Sequence, residues 1–105
     1  MKVGVNHVAA SDIDGGDLVV QGDLVGIAAS DIASGGTGRI WVMGIFNIVK
    51  ATGAGTAISA GAKVYWDATN KFGTDSDGAG ANKLIGKAVR AAEDGDRFVR
   101  TLLTP

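Results

Sequence analysis

Arg39-Ile40-Trp41-Val42-Met43-Gly44-Ile45-Phe46-Asn47-Ile48-Val49 is the stretch that decides how the chain folds. Read as a strand, it places Ile40, Val42, Gly44, Phe46 and Ile48 on one face and Trp41, Met43, Ile45, Asn47 and Val49 on the other. A strand with one wet face alternates apolar with polar residues, and here both faces are apolar apart from Asn47. Its β-branched and aromatic content favours a strand over a helix. A chain of 105 residues has material for one core but not for many strands covered on both sides. The second face therefore needs a cover, from another copy of the chain or from another protein. The expectation is a β-domain built for an assembly.

Working outward, Leu18-Val19-Val20-Gln21 meets Leu24-Val25-Gly26-Ile27-Ala28 across Gly22-Asp23. Glycine first in a two-residue loop predicts a type II′ hairpin. Asp14-Gly15-Gly16 reads as a turn. Residues 1–10 read as a first strand or a loose arm, with Val3, Val5 and Val8 as the apolar positions. Ser30 to Ala33 reads as a short helical turn, and Lys50 to Ala60 as a surface connection. Strands are predicted at Ala62 to Asp67, Lys83 to Ala91 and Arg97 to Leu103. Asp67 to Asn70 reads as a turn, Gly73 to Ala81 as loop, and Asp94-Gly95 as a type I′ hairpin signal.

The 17 glycines punctuate apolar runs rather than cluster, and the only proline is Pro105. Each glycine inside a regular element costs about 0.5–1 kcal/mol relative to alanine, so many tight turns between short strands are implied. The fold class expected is mainly β: a small single-domain β-barrel or β-sandwich with Gly-rich turns and at most one or two helical turns. A short N-terminal segment or arm, residues 1–14, precedes one β-domain, residues 15–105.

The chain also echoes itself. Gly16-Asp17-Leu18-Val19 recurs as Gly61-Ala62-Lys63-Val64, and Leu24-Val25-Gly26-Ile27-Ala28 as Leu84-Ile85-Gly86-Lys87-Ala88. Arg39-Ile40 recurs as Arg97-Phe98, giving offsets of 45, 60 and 58 residues. Two similar three-strand units follow. Gly26 and Gly86 sit inside strands, where glycine marks a bulge or a close backbone approach.

With 46% hydrophobic and 20% charged residues and a net charge of −1, the chain is globular in composition and lacks the basic excess of a non-specific nucleic-acid or membrane binder. It has no cysteine, which excludes disulfides and thiolate metal sites. No apolar stretch approaches the roughly 20 residues needed to cross a bilayer, and the N-terminus has no signal-peptide pattern. A soluble protein made in a cytoplasm is expected.

Material for catalysis is thin. His7 is the single histidine, and a solvated side chain is the expected reading. Asp12 with Asp14, and Asp75 with Asp77, resemble pieces of calcium loops but lack the ligands that complete one; turn chemistry explains them better. Gly80 to Ala88 approaches the phosphate-binding pattern, yet five residues separate its glycines and alanine stands where a hydroxyl must reach magnesium. Gly53 to Ile58 likewise fails the dinucleotide pattern. No catalytic, cofactor or metal residue is expected. Lys83, Lys87, Arg90, Arg97 and Arg100 make the last third basic, read either as a patch for an acidic partner or as a solvated face balanced by Glu93, Asp94 and Asp96. The balanced face is the favoured reading.

In order and spacing, the chain resembles the capsid cement (decoration) proteins of tailed phages and prophages, some members of which carry a legacy RecA/RadA-type recombinase label. The match runs through Gly16 to Val20, Gly22 to Ala28, Gly44 to Phe46, Lys50-Ala51, Gly61-Ala62-Lys63-Val64-Tyr65-Trp66-Asp67, Asn70-Lys71, Leu84 to Val89 and Arg97 to Leu103. About fourteen residues precede Gly15, fewer than the longer N-terminal segment of the family. The resemblance implies a β-rich protomer, a homotrimer, that adds to the capsid exterior of a bacteriophage virion against the major capsid protein after synthesis in the host bacterial cytoplasm. It implies no cofactor, no membrane and no nucleic-acid partner. Within that picture Trp41, Met43 and Ile45, and also Tyr65, Trp66 and Phe72, are expected at a subunit or capsid interface. The alternative from another class is a small β-barrel binding module for nucleic acid or carbohydrate.

Overall fold

The Gly22-Asp23 hairpin forms with Gln21 opposite Leu24, and Gly22 takes φ 63° while Asp23 stays at negative φ, the type II′ pattern. It belongs to a computed structural model that describes residues 2–104; Met1 and Pro105, the outer ends of the expected segment and domain, lie outside the described residues. The architecture is mainly β. Eight strands are described: β1 (Val3–Val8), β2 (Leu18–Gln21), β3 (Leu24–Ala28), β4 (Thr37–Val49), β5 (Lys63–Asp67), β6 (Phe72–Thr74), β7 (Lys83–Ala88) and β8 (Phe98–Leu103). Their hydrogen-bonded order is β2-β3-β4-β8-β7-β5-β6, with β1 also paired to β4.

The chain divides into two compact units, Met1–Gly44 and Ile45–Thr104. The boundary falls inside β4 at Gly44, whose φ of 134° is closed to residues bearing a Cβ. Within unit 1, β1 runs antiparallel to β4 from Val8 opposite Thr37 to Val3 opposite Met43, so the first residues form a strand. Its core is Val19, Ala28, Ile40 and Val42, with Val5, Ile13 and Leu24 packed around them. Within unit 2, a parallel bridge from Lys50 to Gly73 ties the end of β4 to β6, closing the order β4-β8-β7-β5-β6 into a ring. Ile48, Ile58, Val64, Ile85, Val99 and Leu103 are buried inside it.

The echo is structural. Gly16 N–H donates to Ala28 O and Ala28 N–H to Asp17 O; in unit 2, Gly61 donates to Ala88 O and Ala88 to Ala62 O. The bridge Ile13↔Ile32 has its counterpart in Ile58↔Ala92. A Cβ on Gly26 would lie 3.0 Å from Trp41 O, and one on Gly86 would run into Leu102 O. Both glycines therefore admit the backbone of the neighbouring strand. The third echo is out of frame: Ala29 N–H donates to Arg39 O where Val89 N–H donates to Arg100 O. Ala28 pairs with Ile40 where Ala88 pairs with Thr101. Arg39 thus corresponds to Arg100, not Arg97, because inward and outward positions set the register and a shared arginine does not.

Other local expectations change for similar reasons. Ser30 to Ala33 is not helical, since Ile32 is bridged to Ile13. Asp94-Gly95 is a turn closed by Asp96 N–H to Glu93 O, but neither residue has positive φ, so it is not type I′. It lies in a connection that detours through the Ile58 bridge before β8 begins. The predicted Lys83 to Ala91 strand stops at Ala88, and Gly73 to Ala81 contains the end of β6 and a 3-10 turn at Gly78–Gly80.

Candidate interaction surface

Burial along β4 alternates as its sequence parity dictates. Ile40, Val42, Gly44 and Ile48 are buried, whereas Met43, Ile45 and Val49 remain 39%, 46% and 49% exposed. Residues of the odd face that an isolated domain would hide are open to solvent. In unit 1, Met43 faces Val3, itself exposed, across the β1–β4 ladder. Trp41 is half-buried, its ring flanked by Lys2 Nζ at 5.5 Å and Arg39 Cζ at 5.9 Å from the centroid, cation–π distances. Gly4 lies opposite Trp41, and a Cβ there would come within 3.1 Å of the indole.

In unit 2, Arg100 Nη1 donates to Asn47 Oδ1 at 3.3 Å, which puts the outer sides of β8 and β4 together. Strand alternation then places Phe98 and Leu102 on the side of Arg100, and both are exposed. With Ile45 and Val49 they make four uncovered apolar side chains on two neighbouring strands, a contiguity that scattered surface apolar residues lack.

The expected aromatic residues sit elsewhere. Tyr65, Trp66 and Phe72 are all half-buried on the antiparallel pair β5–β6, where Asp67 is opposite Phe72 and Trp66 is opposite Gly73. Along the sheet β7 and β8 lie between β5 and β4, while the Lys50–Gly73 bridge brings β6 beside the end of β4. The turn between β5 and β6 is tied by Asp67, whose carboxylate accepts from Asn70 Nδ2 at 2.9 Å and from the N–H groups of Thr69 and Asn70. The Asn70 side-chain bond is the largest cause holding the Asp67 carboxyl below its ordinary value of 3.8.

One residue escaped sequence reading. Lys50 is buried, and its ammonium donates to Ala51 O at 2.7 Å and Thr56 Oγ1 at 3.2 Å. The Thr56 hydroxyl lies 2.6 Å from Gly53 O and 3.0 Å from Asp94 O, so its single proton serves one of them at a time. Asp94 Oδ1 accepts from Thr56 N and Ala57 N, completing the knot. The signal was parity: Lys50 continues the inward series Ile40, Val42, Ile48.

The remaining candidates resolve into local chemistry. Asp12 accepts from Ser34 N and Asp77 from Ala79 N, so these carboxylates cap turns. His7 is half-buried rather than solvated, with Nδ1 2.8 Å from Gln21 Oε1. Gly86 and Lys87 lie inside β7, paired to β5 on one side and β8 on the other, which commits their backbone to ladders instead of a phosphate cradle. Arg90, Arg97 and Arg100 of the basic last third are exposed with the acids near them, Asp96 lining one notch with Arg90 and Arg100, but without direct pairing. Asp94 and Asp96 turn their carboxylates to backbone N–H groups, and among the described residues no ion pair to Arg90, Arg97 or Arg100 forms.

Residues 2–103 match the family described as phage cement protein. No curated protein and no solved structure matches the chain. The chain belongs to the phage cement protein family, and its role is a structural one in the phage capsid.

Proposed function

We propose that this cement protein binds the outside of the assembled phage head as a homotrimer, contacts the major capsid protein and stabilises the shell without catalysing a reaction. The observation that carries the reading is the uncovered outer side of β4, where Met43, Ile45 and Val49 keep between 39% and 49% of their surface in the single chain. Burying apolar surface contributes about 25 cal/mol per Å², so a strand left in this state is stabilised by any partner that covers it. Trp41 has the same parity on β4, while Tyr65 and Phe72 share one side of the β5–β6 pair as a second contact and Trp66 lies on the other side.

Three modest contacts on one trimer act as a single strong attachment, because after the first contact the others bind at high effective concentration. A trimer that binds the expanded shell and not its precursor stabilises the expanded state by mass action, against the outward pressure of packaged DNA. Synthesis in the host cytoplasm precedes addition to the head. Sedimentation of the purified chain tests the oligomer: a trimer at micromolar concentration supports the reading, and a monomer at tens of micromolar that also fails to pellet with capsids refutes it.

A further inference from the structure

We propose that the outer side of unit 2 around Arg90 and Arg100 is the docking surface for an acidic, apolar-flanked segment of the partner protein, a carboxylate seating between the two guanidinium groups and an apolar neighbour on Phe98. Asn47, Arg90, Ala91, Ala92, Asp96, Phe98 and Arg100 line a surface notch of about 170 Å³. That is below the usual size of a small-molecule site, roughly 300–1,000 Å³, and suits one side chain. The Val89 N–H to Arg100 O bond holds the Arg90 turn beside β8.

Charge is what selects the occupant. Arg90 has no hydrogen bond or ion pair among the described residues, and Arg100 has only the neutral Asn47 amide. Asp96, the sole carboxylate in the lining, accepts from Glu93 N at 2.9 Å and pairs with neither arginine. On the same unit Lys63 stands directly opposite Lys87, a like-charge pair that weakens a sheet. Planar guanidinium groups bind carboxylates in a fixed fork, and the exposed Phe98, Leu102 and Ile45 beside them favour a protein segment over a bare anion. Single-stranded nucleic acid stacks successive bases on several aromatic side chains along a basic groove, and here Phe98 is the one aromatic residue lining the notch, flanked by aliphatic Leu102 and Ile45.

This surface rests on the capsid-binding reading for the identity of its partner, so two measurements separate them. In the first, the full chain and its Arg90→Glu/Arg100→Glu variant are pelleted with expanded capsids between about 50 and 300 mM salt, over which the Debye length falls from about 14 to about 6 Å. The expected result is at least about tenfold weaker binding by the variant and a flatter salt dependence, as for complementary interface charges. Equal binding by the two proteins overturns the proposal. Both side chains are exposed, so the melting temperature should not change; Arg90→Gln/Arg100→Gln serves if reversal disturbs folding.

In the second, arginine side-chain NMR signals of the full chain are followed during titration with a capped peptide alternating glutamate and leucine. Shifts confined to Arg90 and Arg100, absent with the glutamine counterpart, are expected. No shift, an equal response to the glutamine peptide, or tighter binding of a single-stranded oligonucleotide at the same signals overturns the surface. Failure of the wild-type chain to bind capsids, with the titration positive, would instead overturn the capsid reading alone.

Discussion

Placing a methyl group on Gly86 should drive β7 and β8 apart. An added Cβ would run into Leu102 O and lie 2.8 Å from Leu102 C and 3.0 Å from Leu103 Cα, all backbone atoms that cannot rotate away. Overpacking of a tight site costs about 1–3 kcal/mol. Separation also weakens the ladder where Gly86 faces Leu103 and Lys87 faces Leu102, at about 1 kcal/mol per bond lost. Gly86→Ala should therefore cost about 3–5 kcal/mol, a large part of the roughly 5–15 kcal/mol that holds a domain folded. Thermal unfolding followed by circular dichroism should show a fall in Tm of at least about 12 °C, at about 4 °C per kcal/mol or more. The matching Gly26→Ala, limited by Ile40 Cδ1 at 2.9 Å and Trp41 O at 3.0 Å, should cost about 1–3 kcal/mol. At Gly95 nothing lies within 4 Å and φ is not left-handed, so Gly95→Ala should stabilise by about 0.4–1 kcal/mol. A Gly86→Ala protein melting within about 3 °C of the parent, or ranking with Gly95→Ala, would refute the close approach of the two strands.

Lys50 offers a second test. No carboxylate pairs with its ammonium among the described residues, so the packed stem dominates its contribution. Lys50→Ala should cost about 2–5 kcal/mol through the cavity, whereas Lys50→Met should cost less than about 1.5 kcal/mol; equal urea midpoints for the two variants would place the weight on the charge instead. The Asp67 turn predicts a pH effect. Its carboxyl is held below 3.8 in the folded chain, so its contribution is fully present above that value and is lost as pH falls through the lower folded value. Protection from hydrogen exchange at Thr69 and Asn70, relative to the intrinsic rate at each pH, should fall in that acid window, and an Asp67→Asn variant should lose that pH-dependent change in protection; a loss already complete at about pH 5 would contradict the assignment.

What the sequence displayed was chiefly what neighbours in the chain decide. The Gly22-Asp23 hairpin and the Asp67 to Asn70 turn depend on a few adjacent residues, and both formed as read. The two faces of β4 followed from alternation alone, and the parity that exposed Ile45 also buried Ile48. Long-range ties were harder to see. Asp94-Gly95 carries a local hairpin signature, but the Asp94 carboxylate is held by Thr56 and Ala57, 37 or more residues away, and that tie sets the backbone. Lys50 was hidden because its burial depends on the loop from Ala51 to Thr56 folding over it. The echo was visible at Gly26 and Gly86, where geometry demands glycine, and misleading at Arg39, where no such demand exists. The candidate surface divides along the same line: alternation gave the exposure of Met43 and Ile45, while the bridge that brings β6 beside the end of β4 joins residues 23 apart in the chain and has no local signature.

Everything functional here depends on the outer side of β4 being covered by other subunits in the virion. The direct measurement is hydrogen exchange and co-sedimentation of the chain with expanded capsids and with precursor shells. Binding to the expanded shell alone, with new protection over Met43 to Val49 and a loss of binding in Ile45→Asp without loss of fold, is the predicted result. Capsid binding at full strength with Met43, Ile45 and Val49 as exposed as in the free chain would contradict it.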